Sequence, residues 1–142
     1  MVVATGVASL VIGLVGFCGQ LLSTVNWPLA QSLGLQEADA AADPLFQRLE
    51  RNTAVWDLFT WWTLPAAGAL MVLDHAWWPF LAILAGGVYA DTSGRELAKL
   101  RGLETEGVRT GTTKDRTTRL VFFVVTGAVG LWAAVFAIIR MA

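Results

Sequence analysis

Two stretches of about 20 residues or more contain no charged side chain: Val2–Ser23, which is 22 residues long, and Leu120–Ile139. As a helix the first measures about 33 Å at ~1.5 Å per residue, enough for a hydrocarbon core of roughly 30 Å. A backbone in lipid must satisfy its own hydrogen bonds, so runs of this kind predict helices. The remaining composition points the same way. Of 142 residues, 56% are hydrophobic and 15% charged, with a mean hydropathy of +0.59, whereas a soluble domain carries about 25% charge. Apolar side chains must therefore cover the outside as well as the interior. The reading is an all-α fold, a transmembrane four-helix bundle, in one integral-membrane domain over residues 1–142. Val2–Ser23 has no Lys or Arg ahead of it and exceeds the usual apolar core of a signal peptide, so it is expected to persist as a span.

Between the two uncharged runs lies a hairpin, from Asp43 to Asp91. Trp27-Pro28 stops the first helix at an interface, since Trp favours the headgroup level and Pro cannot continue the hydrogen-bond ladder. Residues 29–42 read as a connector, a loop or a short surface helix. Asp43-Pro44 starts the next helix, with Asp43 expected to cap it and Pro44 in the first turn. That helix is predicted to run from Pro44 to Leu73, projecting beyond the bilayer over about 44–55 and spanning over about 56–73. Pro65 should kink it and free the carbonyl of Trp61. Asp74-His75-Ala76 is too short for anything but an antiparallel return, so the third span follows over about 77–93. Asp91 and Arg95, four apart, favour continuation as a helical ion pair. A cytoplasmic loop is expected over about 101–118, and the fourth span over 120–139.

Basic residues orient the chain. Nine of the ten, Arg48, Arg51, Arg95, Lys99, Arg101, Arg109, Lys114, Arg116 and Arg119, lie on the first and third connectors, and only Arg140 lies on the other side. The positive-inside rule then puts those connectors in the cytoplasm and both termini outside, in a multi-pass cell-membrane protein. Glycines and small residues on spans one and four, among them Gly6, Gly13, Gly127 and Gly130, thin those helices and predict close helix contacts, including self-association into a homo-oligomer.

Several chemistries are excluded. Net charge is −1, so no basic surface calls for nucleic acid. One cysteine, Cys18, and one histidine, His75, leave no multi-cysteine or multi-histidine metal site. There is no phosphate-binding glycine loop, no G-x-S-x-G, no H-E-x-x-H and no C-x-x-C. No catalytic residue is identified. His75 reads as a polar turn residue, and the seven tryptophans read as interface belts and packing. Polar groups in or near lipid are costly and mark sites by default. On this topology Gln20, Asn52, Asp57, Asp91 and Arg95 gather at the cytoplasmic level, with Arg48 and Arg51 just above them. Two readings fit: a polar crevice that binds or passes a small ligand or a partner subunit, or simply the water line, where helix ends carry charge and basic residues meet lipid phosphates.

The segment Pro44-Leu45-Phe46-Gln47-Arg48-Leu49-Glu50-Arg51 resembles the entry to the second helix of the MAPEG family, which includes the microsomal glutathione transferases and leukotriene C4 synthase. That entry reads P-x-F-x-R, an apolar residue, any residue, then R. The resemblance implies a four-span trimer that binds glutathione near the cytoplasmic face and transfers it to lipophilic electrophiles. Arg48 and Arg51 would then contact the acidic ligand. The family's next Asn and Glu fall here on Val55 and Leu58, so Asn52 and Asp57 would stand in for them. From the sequence, the primary expectation is a non-enzymatic ligand-binding or ligand-passing membrane protein, and the alternative is this glutathione-dependent enzyme.

Overall fold

A computed structural model describes all residues from Met1 to Ala142. The chain forms six helices, α1 (Val2–Val25), α2 (Trp27–Ser32), α3 (Pro44–Leu58), α4 (Thr63–Val72), α5 (Trp78–Thr105) and α6 (Thr113–Met141), and no strand. One isolated bridge joins Ala42 to Thr110. By length and composition, α1 and α6 are able to cross a membrane.

α1 packs on α4, α4 on α5 and α5 on α6, and a slighter seam of α6 on α1 closes the circuit. The helices touch through small residues. A methyl group added at Gly68 would stand 2.6 Å from the Gly6 carbonyl oxygen, and one at Gly130 would stand 2.7 Å from Tyr89 Cβ. Gly6 and Gly13 likewise lie against α4, and Gly127 against Ser93 of α5. The small faces expected to join copies of the chain are therefore filled within it. Aromatic rings occupy the centre: Trp61 lies 5.0 Å from Tyr89, 5.9 Å from Phe122 and 6.5 Å from Phe123, centroid to centroid. Outward faces are also apolar, with Val7, Val11 and Leu14 exposed on α1, Leu84 on α5, and Val124 and Leu131 on α6. So extended an exposed apolar surface suits lipid.

The predicted long second helix is in fact two. α3 ends at Leu58, residues 59–62 form tight turns, and α4 begins at Thr63. The amides of Phe59 and Thr60 bond to the carbonyls three residues back, and Pro65 has no N–H to extend the ladder across this point. The freed Trp61 carbonyl accepts a hydrogen bond from Tyr89 Oη at 2.8 Å, so the kink expected at Pro65 is joined directly to α5. Asp43 does not cap α3. Its carboxylate instead accepts the Arg109 backbone N–H at 2.6 Å and the guanidinium at 3.1 Å. These bonds hold the Asp43 carboxyl below its ordinary value, the backbone one contributing most.

The third connector is shorter than predicted. α5 continues through Thr105, and α6 starts at Thr113 behind a capping box formed by Thr112 and Asp115. Only 106–112 lie between them, and Asp43 N–H to Arg109 O at 2.9 Å ties this loop to the first connector. Phe46, Ala42 and Leu100, with Leu103 and Val108, form a small second core there. At the opposite end Asp74 takes φ 50°, and His75 N–H returns to Leu70 O at 3.0 Å. His75 is an exposed turn residue, and Cys18 is exposed on α1. Among the tryptophans, Trp27, Trp61 and Trp78 are buried, and Trp56, Trp62, Trp77 and Trp132 are exposed.

Candidate functional site

Burial on α5 follows one stripe: Ala82, Ala85, Gly86, Tyr89, Thr92, Ser93, Glu96 and Leu100. That spacing is the helical period, so whatever falls on the stripe faces the other helices whatever its polarity. Glu96 falls on it. On α3 the equivalent stripe is Phe46, Ala54 and Asp57, with Glu50 between them in register. The two stripes meet at the polar end of the molecule.

Their meeting makes a buried charge cluster. Lys99 Nζ lies 2.8 Å from Glu50 Oε1 and also pairs with Glu96. The side chains of Glu50 and Glu96 are 12% and 2% exposed. Asp57 is 0% exposed, and neither of its carboxyl oxygens has a hydrogen-bond partner. The charges whose fields reach it are Glu96, Arg95, Lys99 and Glu50. Burial pushes the Glu50 carboxyl up despite the Lys99 charge. Burial alone would pull the Lys99 ammonium down, but Glu50 and Glu96 outweigh it and hold it above its ordinary value. Two carboxylates, Glu50 and Glu96, thus share one ammonium, and a third carboxyl, Asp57, lies enclosed beside them without a partner.

Beside this cluster a cavity of about 410 Å³ opens between α1 and α6. Val15, Gly16, Gly19, Gln20 and Ser23 line it from α1, residues 33–37 from the first connector, Glu50 from α3, and Lys114, Asp115, Thr118, Arg119, Phe122 and Phe123 from α6. Its volume lies within the range of small-molecule sites, about 300–1,000 Å³. One part of the wall is apolar, with Val15, Phe122 and Phe123. Another is polar, with Gln20, Ser23, Gln36 and Thr118. The charges on it are largely committed. Arg119 pairs with Glu37, donates to Thr110 O at 3.1 Å and lies 4.9 Å above the Phe46 ring. Glu50 is held by Lys99, and Asp115 by the capping box. The cavity therefore offers a half-apolar, half-polar surface with little net charge.

The sequence-predicted residues are distributed differently. Of Arg48, Arg51, Asn52, Asp57, Asp91 and Arg95, only Asp57 is buried. Arg51 stacks 4.7 Å over the ring of Trp27. Asp91 and Arg95 form the expected helical pair, at 3.7 Å and exposed. Arg48 and Asn52 face outward. Gln20 does line the cavity. Glu50, Glu96 and Lys99, which surround Asp57, were not singled out from the sequence, and neither were Glu37 and Arg119. Extending the α5 stripe from Tyr89 by seven residues reaches Glu96, so that one was accessible from periodicity. Glu37 lies on a connector without period, and no local pattern marks it.

No protein-family model matches this chain, and neither a curated protein nor a solved structure matches it.

Proposed function

We propose that this chain is a four-span integral membrane protein that binds a small amphiphilic ligand in the α1/α6 cavity, without catalysis. The spans are α1, the segment through α4, the first half of α5, and α6. The polar end faces the cytoplasm and both termini face outside. Support for the membrane placement comes from the apolar outer faces of α1, α5 and α6 and from the nine-to-one distribution of basic residues between the two ends. The observation that carries the ligand reading is the cavity itself: its size, and its division into an apolar wall at Val15, Phe122 and Phe123 and a polar wall at Gln20, Ser23 and Thr118. An amphiphile seated there would set its chain against the rings and its head toward the connector.

Gly19 provides the test. A methyl group added at Gly19 would meet nothing within 4 Å, so a side chain at this position enters the cavity without disturbing the helices. Purified protein in nanodiscs is titrated with lysophosphatidylcholine, a zwitterionic single-chain amphiphile, and with glutathione, the ligand implied by the MAPEG resemblance. Thermal stabilisation is read in each case, because a ligand of the folded state raises stability by mass action. The amphiphile is expected to stabilise the wild type, and Gly19→Leu is expected to weaken that effect at least tenfold in concentration. Stabilisation by glutathione alone would favour the transferase reading. No stabilisation by either, or an unchanged response in Gly19→Leu, removes the cavity as the site.

A further inference from the structure

Asp57 has an arrangement that packing alone does not require. It sits at the last turn of α3, fully enclosed, with both carboxyl oxygens lacking a donor. Burying an ionised carboxylate without partners is among the costliest arrangements a protein can hold. The surrounding charges are of both signs and none bonds to it. From α3 the group facing it is Glu50, and from α5 they are Glu96, Lys99, Arg95 and, through its phenol, Tyr89. α1 and α4 bring no Asp, Glu, Lys or Arg. The one charged α6 side chain buried at this level, Arg119, is engaged with Glu37. Lys99 is already shared by two carboxylates, and Arg95 is exposed and turned toward Asp91. No buried cation is left for Asp57. No set of three or more His, Cys, Asp or Glu side chains is placed to hold a metal ion either. The one cation that fits a lone carboxyl without further ligands is a proton.

Glu50 belongs at once to the cavity wall and to the ion-paired cluster. It stands on the same face of α3 as Asp57, seven residues before it.

We propose that Asp57 is an exchangeable proton site, loaded from and discharged to water in the α1/α6 cavity past Glu50. The proton enters from solvent onto a carboxylate oxygen and returns to solvent by the same side, with no other bond made or broken. The site stands at the break between α3 and α4, where one turn separates Asp57 from Trp61 and its hydrogen bond to Tyr89. A change of charge at Asp57 thus acts on the joint between the cytoplasmic and membrane halves of the chain. This inference stands on the enclosed carboxyl and does not depend on any ligand of the cavity.

The test is an infrared pH titration of the full chain in lipid nanodiscs. The expected result is a carbonyl band of a protonated, weakly hydrogen-bonded carboxylic acid at neutral pH, lost reversibly as pH rises. Asp57→Asn abolishes the band, and Asp91→Asn, at an exposed carboxylate, leaves it in place. Should Asp57→Asn fail to fold, isotope labelling of the wild type decides instead: the band shifts with carbonyl-labelled aspartate and not with labelled glutamate. Absence of such a band at neutral pH overturns the proposal. So does its persistence in Asp57→Asn, or its shift with labelled glutamate, which would place the proton on Glu50 or Glu96.

Discussion

The apolar half and the polar half of this molecule are held together by opposite means. In the first, α1 meets α4 and α5 meets α6 through Gly68 and Gly130, where backbone approaches backbone or Cβ, and aromatic rings around Trp61 fill the centre. The contacts are unspecific in charge and exacting in volume. In the second, α3, the end of α5 and the two connectors are joined by ion pairs between residues far apart in sequence: Glu50 with Lys99, Glu37 with Arg119, and Asp43 with Arg109. In lipid, where we propose the apolar half lies, no hydrophobic drive acts between helices, and close packing would do that work. At the water line, a charge withdrawn from solvent is stable only when paired.

Substitutions can break this contrast. The largest effect is expected at Lys99. Lys99→Met strands Glu50 and Glu96 as buried carboxylates and should cost about 3–5 kcal/mol, the range for breaking one partner of a buried pair. Thermal unfolding in detergent measures this, and the triple change Lys99→Met, Glu50→Gln, Glu96→Gln should recover most of the loss. A triple variant as unstable as the single one would mean that the cluster acts through volume, as the apolar half does. The same pair sets a pH dependence. The folded Lys99 ammonium lies above its ordinary value, so its contribution is complete below the unfolded lysine pKa of about 10.4 and fades as pH rises through the folded value. Stability should therefore fall at strongly alkaline pH in the wild type and less steeply in the triple variant.

Gly68→Val comes next. Its side chain would press on the Gly6 carbonyl and the Leu10 backbone, and overpacking of this kind costs about 1–3 kcal/mol. Unlike Lys99→Met, this loss should be insensitive to salt and pH. Tyr89→Phe is smaller. It removes the donor to the Trp61 carbonyl and leaves a buried acceptor unpaired, at about 1–2 kcal/mol. Differential scanning calorimetry of the variant checks it, and hydrogen exchange should rise locally across 59–63. The smallest change is expected for Arg95→Ala, whose exposed partner Asp91 lies 3.7 Å away. Exposed pairs of this spacing contribute about 0.3–0.5 kcal/mol, and added salt should erase the difference.

The two halves also differ in how far they could be read from sequence. The uncharged runs at either end, the tight turn at Asp74-His75 and the carbonyl freed ahead of Pro65 are local signals, and each appears in the structure. The break at residues 59–62 exceeds the expected kink, and Tyr89, 28 residues away from Trp61, donates its hydroxyl to the freed carbonyl. In the polar half, charge density marked the level of the candidate site but not its members. Arg48, Arg51, Asn52, Asp91 and Arg95 are conspicuous in sequence and sit off the buried stripes, whereas Glu50 and Glu96 look like ordinary surface residues and sit on them. Only Asp57 was both conspicuous and buried. Pairings such as Glu37 with Arg119 depend on how two connectors fold over one another, which no local period encodes.

The account rests on the apolar half lying in lipid and the polar half in water, and cysteine accessibility tests this most directly. Cys18 is first replaced by Ser, then a single cysteine is placed at Ile83 on the exposed face of α5 or at Arg101 near its end. Intact spheroplasts and inverted vesicles are treated with a membrane-impermeant maleimide. The account predicts that Arg101→Cys is labelled in inverted vesicles only, and that Ile83→Cys is labelled in neither until detergent is added. Labelling of Ile83→Cys from water in either preparation, or of Arg101→Cys in intact spheroplasts, would contradict it.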